Sequence, residues 1–293
     1  MKTIYGTIGY TLLVNPTTNR KIIVLSDMHD TLPECINQTN VSDWFKSKFE
    51  SSKILLEEVP RDNFNLTELW LNSPHTQNLK NLYLSNSNLI HAIDIRPYLI
   101  PFSWEILSDV KINKDDSNSL GYDIILKTYI NKINNFFSMK ETYFLKNLSN
   151  YTIEKLPHTK LGKHFLRIKN NWKIFLENNN TLLNNKILLI YQSNKKVLED
   201  ISNILDEIME WYICASIQIY SEQSIILHTG LSHSDNVINW LENHYGYLIS
   251  KSDGINSMDE VIFKPLSGCI QIPTNIENQF GGTNSEYAIG FFN

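Results

Sequence analysis

Cysteine is scarce: Cys35, Cys214 and Cys269 are the only three, they lie far apart, and none sits in a C-x-x-C pair. That spacing argues against a disulfide framework and a thiolate zinc site, and it favours a reducing compartment such as the cytoplasm. Long apolar runs are also missing. Neither the amino-terminal MKTIYGTIGYTLLVNPTTNRK nor any later stretch approaches the roughly 18 residues that a spanning helix needs, so a soluble protein without a membrane partner is expected. Lys and Arg form no dense run, and 26 of them stand against 31 Asp and Glu for a net charge of -5. A phosphate-tracking surface is therefore not indicated, and nucleic acid is not an expected partner. No segment repeats at a fixed period, which excludes solenoids and propellers.

What is present is an ordinary globular composition, 42% hydrophobic and 11% aromatic, able to bury a substantial core. The abundance of Asn, Ile and Lys is that of an AT-rich genome, as in many giant viruses and some protists, which would make the setting a host cytoplasm or a virion. In so Asn-rich a chain, N-x-S/T triplets such as Asn65-Leu66-Thr67 arise by chance and carry no weight.

Thr7 to Leu13 reads as a strand, Asn15 to Asn19 as a turn, and KIIVL (Lys21 to Leu25) as a buried strand. Thr39 to Phe49 reads as a helix with Ser42 or Asp43 near its start. Ile54-Leu55-Leu56, Leu89 to Ile93 and Ser224 to Leu227 are further short apolar strands, and helical spacing runs through Ile201 to Tyr220 and Asp235 to His244, closing at Gly246. Strands alternating with helices predict one α/β domain over residues 1–293, with a mostly parallel central sheet flanked by helices. Residues about 104–200 read as a helical insertion, and about 251–293 as an irregular tail.

Chemistry-bearing residues cluster where these strands end. SDMHD follows the first buried strand with Asp27, His29 and Asp30; EEVPR follows the second with Glu57 and Glu58; DIRP follows the third with Asp94 and Arg96; and HTGLSH ends the fourth with His228 and His233. A rigid strand end fixes a side chain while the following loop admits substrate. Imidazoles with carboxylates can hold a divalent metal or supply a general base and its orienting partner, and Arg96 could stabilise an anion.

In this order the motifs resemble the superfamily that contains TraB, TIKI, erythromycin esterase and ChaN proteins. Gly230-Leu231-Ser232-His233 is an intact late G-x-x-H, Glu57 matches the glutamate after the second strand, and Leu25-Ser26-Asp27-Met28-His29-Asp30 is similar to the early L-G-E-x-H-D, with Ser26 in place of glycine. The resemblance covers about residues 20–100 and 200–250. It implies a hydrolase acting on a small-molecule or peptide substrate at a peptide, ester or similar bond. The implied catalytic residues are His29, Glu57, His233 and Arg96; Asp27, Asp30 and Asp94 would bind; and a divalent metal (Mn, Co or Zn) would sit on His29, Glu57 and His233.

Blander readings stand beside these. A histidine after a buried strand is more often structural, Asp94 and Arg96 could be a loop-fixing ion pair, and His228 should face away from the site by strand alternation. His75, His91, His158, His164 and His244 have no chemical company in sequence, and Trp44, Trp70, Trp104, Trp172, Trp211 and Trp240 read as packing residues. Asp27-Met28-His29 also resembles the opening D-x-H of calcineurin-like metallophosphoesterases, whose later G-D-x-x-D and G-N-H-D/E motifs are missing. A non-catalytic scaffold or virion protein that keeps the fold is the third reading.

Overall fold

A computed structural model describes residues 1–30, 32–60, 74–99, 122–138, 159–180 and 191–281; Arg61, Trp70, Trp104 and His158 lie outside the described residues. The chain forms two compact units, one of Met1–Pro60, Asn72–Ile93 and Tyr220–Asn293, the other of Arg61–Leu71 and Asp94–Ile219. In chain order the elements are β1 (Lys2–Tyr5), β2 (Gly9–Val14), β3 (Lys21–Asp27), β4 (Gln38–Asn40), α1 (Val41–Lys46), β5 (Lys53–Leu56), α2 (Pro74–Ser85) and β6 (Ile90–Ala92). There follow α3 (Arg96–Leu99), α4 (Tyr122–Phe137), α5 (Lys160–Asn178) and α6 (Tyr191–Ile219). The chain continues through β7 (Ser224–Gly230), α7 (Leu231–Tyr245), β8 (Leu248–Gly254), β9 (Cys269–Ile272) and α8 (Thr274–Glu277).

The first unit is α/β. Its mixed sheet has six strands in the order β6-β5-β7-β3-β2-β8; β6, β5, β7 and β3 run parallel, β2 pairs antiparallel with β3, and β8 pairs antiparallel with β2. KIIVLSD and SIILHTG form β3 and β7, each buried at every position after the first; with both faces covered, an uninterrupted Ile/Leu/Val run is needed there. β2 and β3 form the expected hairpin: Asn15 Oδ1 accepts from the Thr17 and Thr18 amides, and Asn19 takes a left-handed φ of 55°, which Asn tolerates better than most residues. Ile23, Leu25, Ile54, Leu56 and Ile226 pack with Trp44, Phe45 and Phe280 in one buried cluster.

Several expectations are corrected. The cap of α1 is Asn40, whose Oδ1 accepts from the Ser42 amide at 2.9 Å. The stretch after Lys251 is not irregular as far as Gly281: it completes β8 and supplies β9 and α8. β8 hides from a hydrophobicity reading because LISKSDG is an exposed edge strand with no buried face to impose alternation. β1 went unread as well; it is the centre of a three-stranded sheet ordered β4-β1-β9. That small sheet also overturns the cysteine reading. It brings the segment before β4 beside the first residue of β9, and Cys35 and Cys269, 234 residues apart, form a disulfide. Separation along the chain says nothing about separation in space once β1 pairs with both flanking strands.

In the second unit the described residues are helical. Phe136, Phe165 and Trp211 pack edge-on or tilted with centroids 5.0 to 6.1 Å apart, and Trp211 donates to the Leu161 carbonyl at 3.0 Å. Among the described residues no helix is long and apolar enough to cross a membrane.

Gly9 in β2 lies so close to the chain after β8 that an added Cβ would sit 2.0 Å from the Ile255 carbonyl oxygen. Backbone cannot yield as a flexible side chain does, so Gly9→Ala is expected to destabilise the first unit by about 3 kcal/mol. Urea unfolding would show this as a lowered midpoint; an unchanged midpoint would contradict the packing described.

Candidate functional site

The site is built by register. Parallel pairing sets Asp27 opposite Gly230 and Leu56 opposite His228, so β3, β7 and β5 end along one edge of the sheet. The Glu57 amide continues the ladder by donating to the His228 carbonyl at 3.0 Å. Three chain segments with no proximity in sequence thereby deliver Asp27 and His29, Glu57, and Gly230 and His233 to one place.

Asp27 is buried and fixes the turn after β3. Its Oδ1 accepts from the Met28 amide at 2.8 Å, and its Oδ2 lies 2.9 Å from His29 Nδ1. His29 is a non-glycine residue at φ 55°, a backbone state that costs about 1 kcal/mol or more and persists where surroundings impose it. The left-handed turn aims the ring back across the strand ends, so that Nε2 lies 3.3 Å from Glu57 Oε2. Ser26, which stands where the resembled early motif has glycine, is a regular, fully buried strand residue. Glycine's conformational freedom is not required there.

Glu57 is the hub. Its Oε2 accepts from Thr229 Oγ1 and from the Gly230 amide, both at 2.6 Å. Gly230 is the N-cap of α7, so the carboxylate also sits at the positive end of a helix dipole. His233 lies in the first turn of that helix, its side chain 10% exposed, with Nε2 4.0 Å from Glu57 Oε1. The glycine of the late motif is required by space and not by its φ of -54°. A Cβ there would stand 3.0 Å from His29 Nε2 and 3.4 Å from Glu57 Oε2.

Burial works against charge on the His29 ring, yet Glu57 and Asp27 outweigh it and hold its pKa well above the ordinary value. Both ring nitrogens face carboxylate oxygens, Nδ1 at 2.9 Å from Asp27 Oδ2 and Nε2 at 3.3 Å from Glu57 Oε2, so the site favours the protonated ring, which can donate from both.

Glu58 turns back along its own strand, its amide donating to the Leu56 carbonyl at 2.7 Å. His228 is buried, with Nε2 3.2 Å from the Gly6 carbonyl and its ring edge-on to Phe45, a structural placement. Asp30 is exposed just past the turn. Asp94 and Arg96 belong to the second unit, where the Arg96 guanidinium meets Asp94 Oδ1 at 2.9 Å and Asp206 Oδ1 at 2.8 Å. Thr229 was overlooked. The alternation that turns His228 away turns its neighbour toward Glu57, and that signal was available in HTGLSH.

Among the described residues no group of three or more His, Cys, Asp or Glu side chains is arranged to hold a metal ion. Comparisons of the chain with protein families, with characterised proteins and with solved structures find no match.

Because the folded-state pKa of His29 is raised above its unfolded value of about 6.5, its stabilising contribution is fully present below that pH and lost as pH rises through the folded value. Relative to His29→Gln, the wild type should thus lose stability as pH is raised beyond about 6.5. Urea midpoints of both proteins across the neutral to mildly alkaline range would test this, and parallel pH profiles would refute it.

Proposed function

We propose that the chain is a hydrolase of the TraB/TIKI/erythromycin esterase type, cleaving a peptide, ester or similar bond in a small-molecule or peptide substrate with His29, Glu57 and His233. The observation that supports this best is the placing of two imidazoles against the two oxygens of one fixed carboxylate. In the scheme, neutral His233 takes a proton from water while Glu57 stabilises the imidazolium that forms. The resulting hydroxide adds to the substrate carbonyl carbon, and its π electrons move onto oxygen. As the tetrahedral adduct collapses, His29 gives its Nε2 proton to the departing oxygen or nitrogen. One water is consumed, an acid and an alcohol or amine leave, and the proton on His233 returns to His29 past Glu57, which lies between the two rings. Arg96 is already taken up by Asp94 and Asp206, and the scheme does not call on it; Asp30 is left as a binding residue at the exposed rim.

The Asp27–His29 contact favours a second version of the same reading. A carboxylate on Nδ1 leaves Nε2 as the ligating nitrogen, the arrangement common to metal-bound histidines. Holding a divalent ion (Mn, Co or Zn) on His29, Glu57 and His233 would need His29 to give up its Nε2 proton and the three side chains to rearrange from their present placement; an ion so held would supply hydroxide near neutral pH. We further read the described helices within about 104–200 as an insertion into the α/β unit, and a cytoplasmic setting as the place of action, one in which the Cys35–Cys269 bond is open to reductant.

Metal analysis of the purified protein together with a screen of peptide, ester and phosphoester substrates tests both versions. Wild type should hydrolyse a carbonyl substrate, and His233→Ala and Glu57→Gln should each lose roughly 10²- to 10⁴-fold in rate. Stoichiometric metal that disappears in His233→Ala selects the metal version, and activity that survives chelation selects the other. Phosphoester cleavage alone, or a folded wild type inert to every substrate, would sink the proposal.

A further inference from the structure

His29 lies at the start of the loop between β3 and β4, described over residues 28–30 and 32–37, and Cys35 lies near its far end. We propose that the Cys35–Cys269 disulfide is a reversible redox clasp that holds this loop, and with it His29, in the arrangement the site requires.

The first support is connectivity. The disulfide is a covalent tie between the His29 loop and β9, a strand from the far end of the chain. Around it the fit is close: a Cβ on Gly268 would come within 2.8 Å of Leu32 Cβ and 3.0 Å of the Pro33 carbonyl, and Tyr5 Oη donates to the Leu32 carbonyl at 3.1 Å. The second is strain. His29 and Asn37 bracket the loop, and both are non-glycine residues in the left-handed region, at φ 55° and 57°. Such residues hold only while surrounding contacts over-determine them, and the cross-link is the one covalent member of those contacts. The third is access. Both cysteines are half-buried; Cys269 lies between buried Gly268 and Ile270, but Cys35 stands between exposed Glu34 and Ile36, so a small dithiol can reach its sulfur.

Opening the clasp consumes one dithiol reductant. Its thiolate attacks one sulfur of the pair, expelling the other as a thiolate that takes up a proton. The second thiol of the reductant then attacks the mixed disulfide, leaving two protein thiols and an oxidised, cyclic reductant. Two electrons and two protons pass to the chain. Freed of the tie, the loop gains conformational freedom, and the left-handed turn at His29 relaxes away from Glu57.

The clasp is independent of the hydrolase reading; only the consequence for catalysis rests on it. Full-length protein would be treated with dithiothreitol under native conditions, alkylated, and followed by hydrogen exchange and by hydrolysis of a substrate found as above. Labelling of Cys35 and Cys269, loss of amide protection in residues 28–37 with β3 and β7 unchanged, and a fall in activity reversed by reoxidation are expected. Cys35→Ser and Cys269→Ser should show that reduced behaviour from the outset and ignore the reductant; reduction of the wild type carries the test if either variant misfolds. Failure of the cysteines to label, or protection in 28–37 that reduction leaves unchanged, overturns the clasp whatever the protein hydrolyses. Loss of protection in a protein that hydrolyses nothing leaves the clasp standing and removes the hydrolase.

Discussion

Everything at the strand ends hangs on one hydrogen-bonded carboxylate. Glu57 Oε2 accepts from a hydroxyl and an amide of the same β7–α7 junction, each at 2.6 Å, and those bonds exist because β5 and β7 pair in parallel with Leu56 opposite His228. A slip of one residue would carry Thr229 to the opposite face and turn the Glu57 side chain away from the Gly230 amide. Burial on both faces of the β3–β7–β5 core forbids that slip. The apolar packing of Ile, Leu and Val is thus what gives the polar site its geometry.

From that anchor the remaining groups follow by charge and space. A carboxylate at a helix N-terminus attracts a cation, and His29 supplies it from a strained turn that Asp27 steadies. Glycine at 230 is the only residue without a Cβ to wedge between the ring and the carboxylate. Carboxylate, imidazolium and glycine are therefore one arrangement, in which altering any member shifts the others. Interactions of this kind strengthen one another where water is partly excluded.

Much of the central sheet was legible because its strands are buried and so had to be apolar: KIIVL, ILL and SIIL announce themselves. The same logic placed the candidate residues, since polar clusters directly after buried strands sit at the carboxyl edge of a parallel sheet. Where a strand lacks a buried face, as in β8, or is short and only partly buried, as in β1 and β9, the pattern is too weak to read. Preferring Glu57 to Glu58 rested on motif position, and the ladder bond from the Glu57 amide is the physical reason that Glu57 continues the strand's geometry.

The amino-acid order was enough to settle an α/β sheet, the buried strands at its centre and the polar residues at their ends, because burial and periodicity are local properties of a segment. It could not settle which distant segments meet. The Cys35–Cys269 bond, the meeting of His29 with Glu57, the Thr229 contact and the pairing of Arg96 with Asp206 all arise from pairing and packing between residues far apart in the chain. Such contacts are set by strand register and by the space left between elements, and those exist only once the chain has folded.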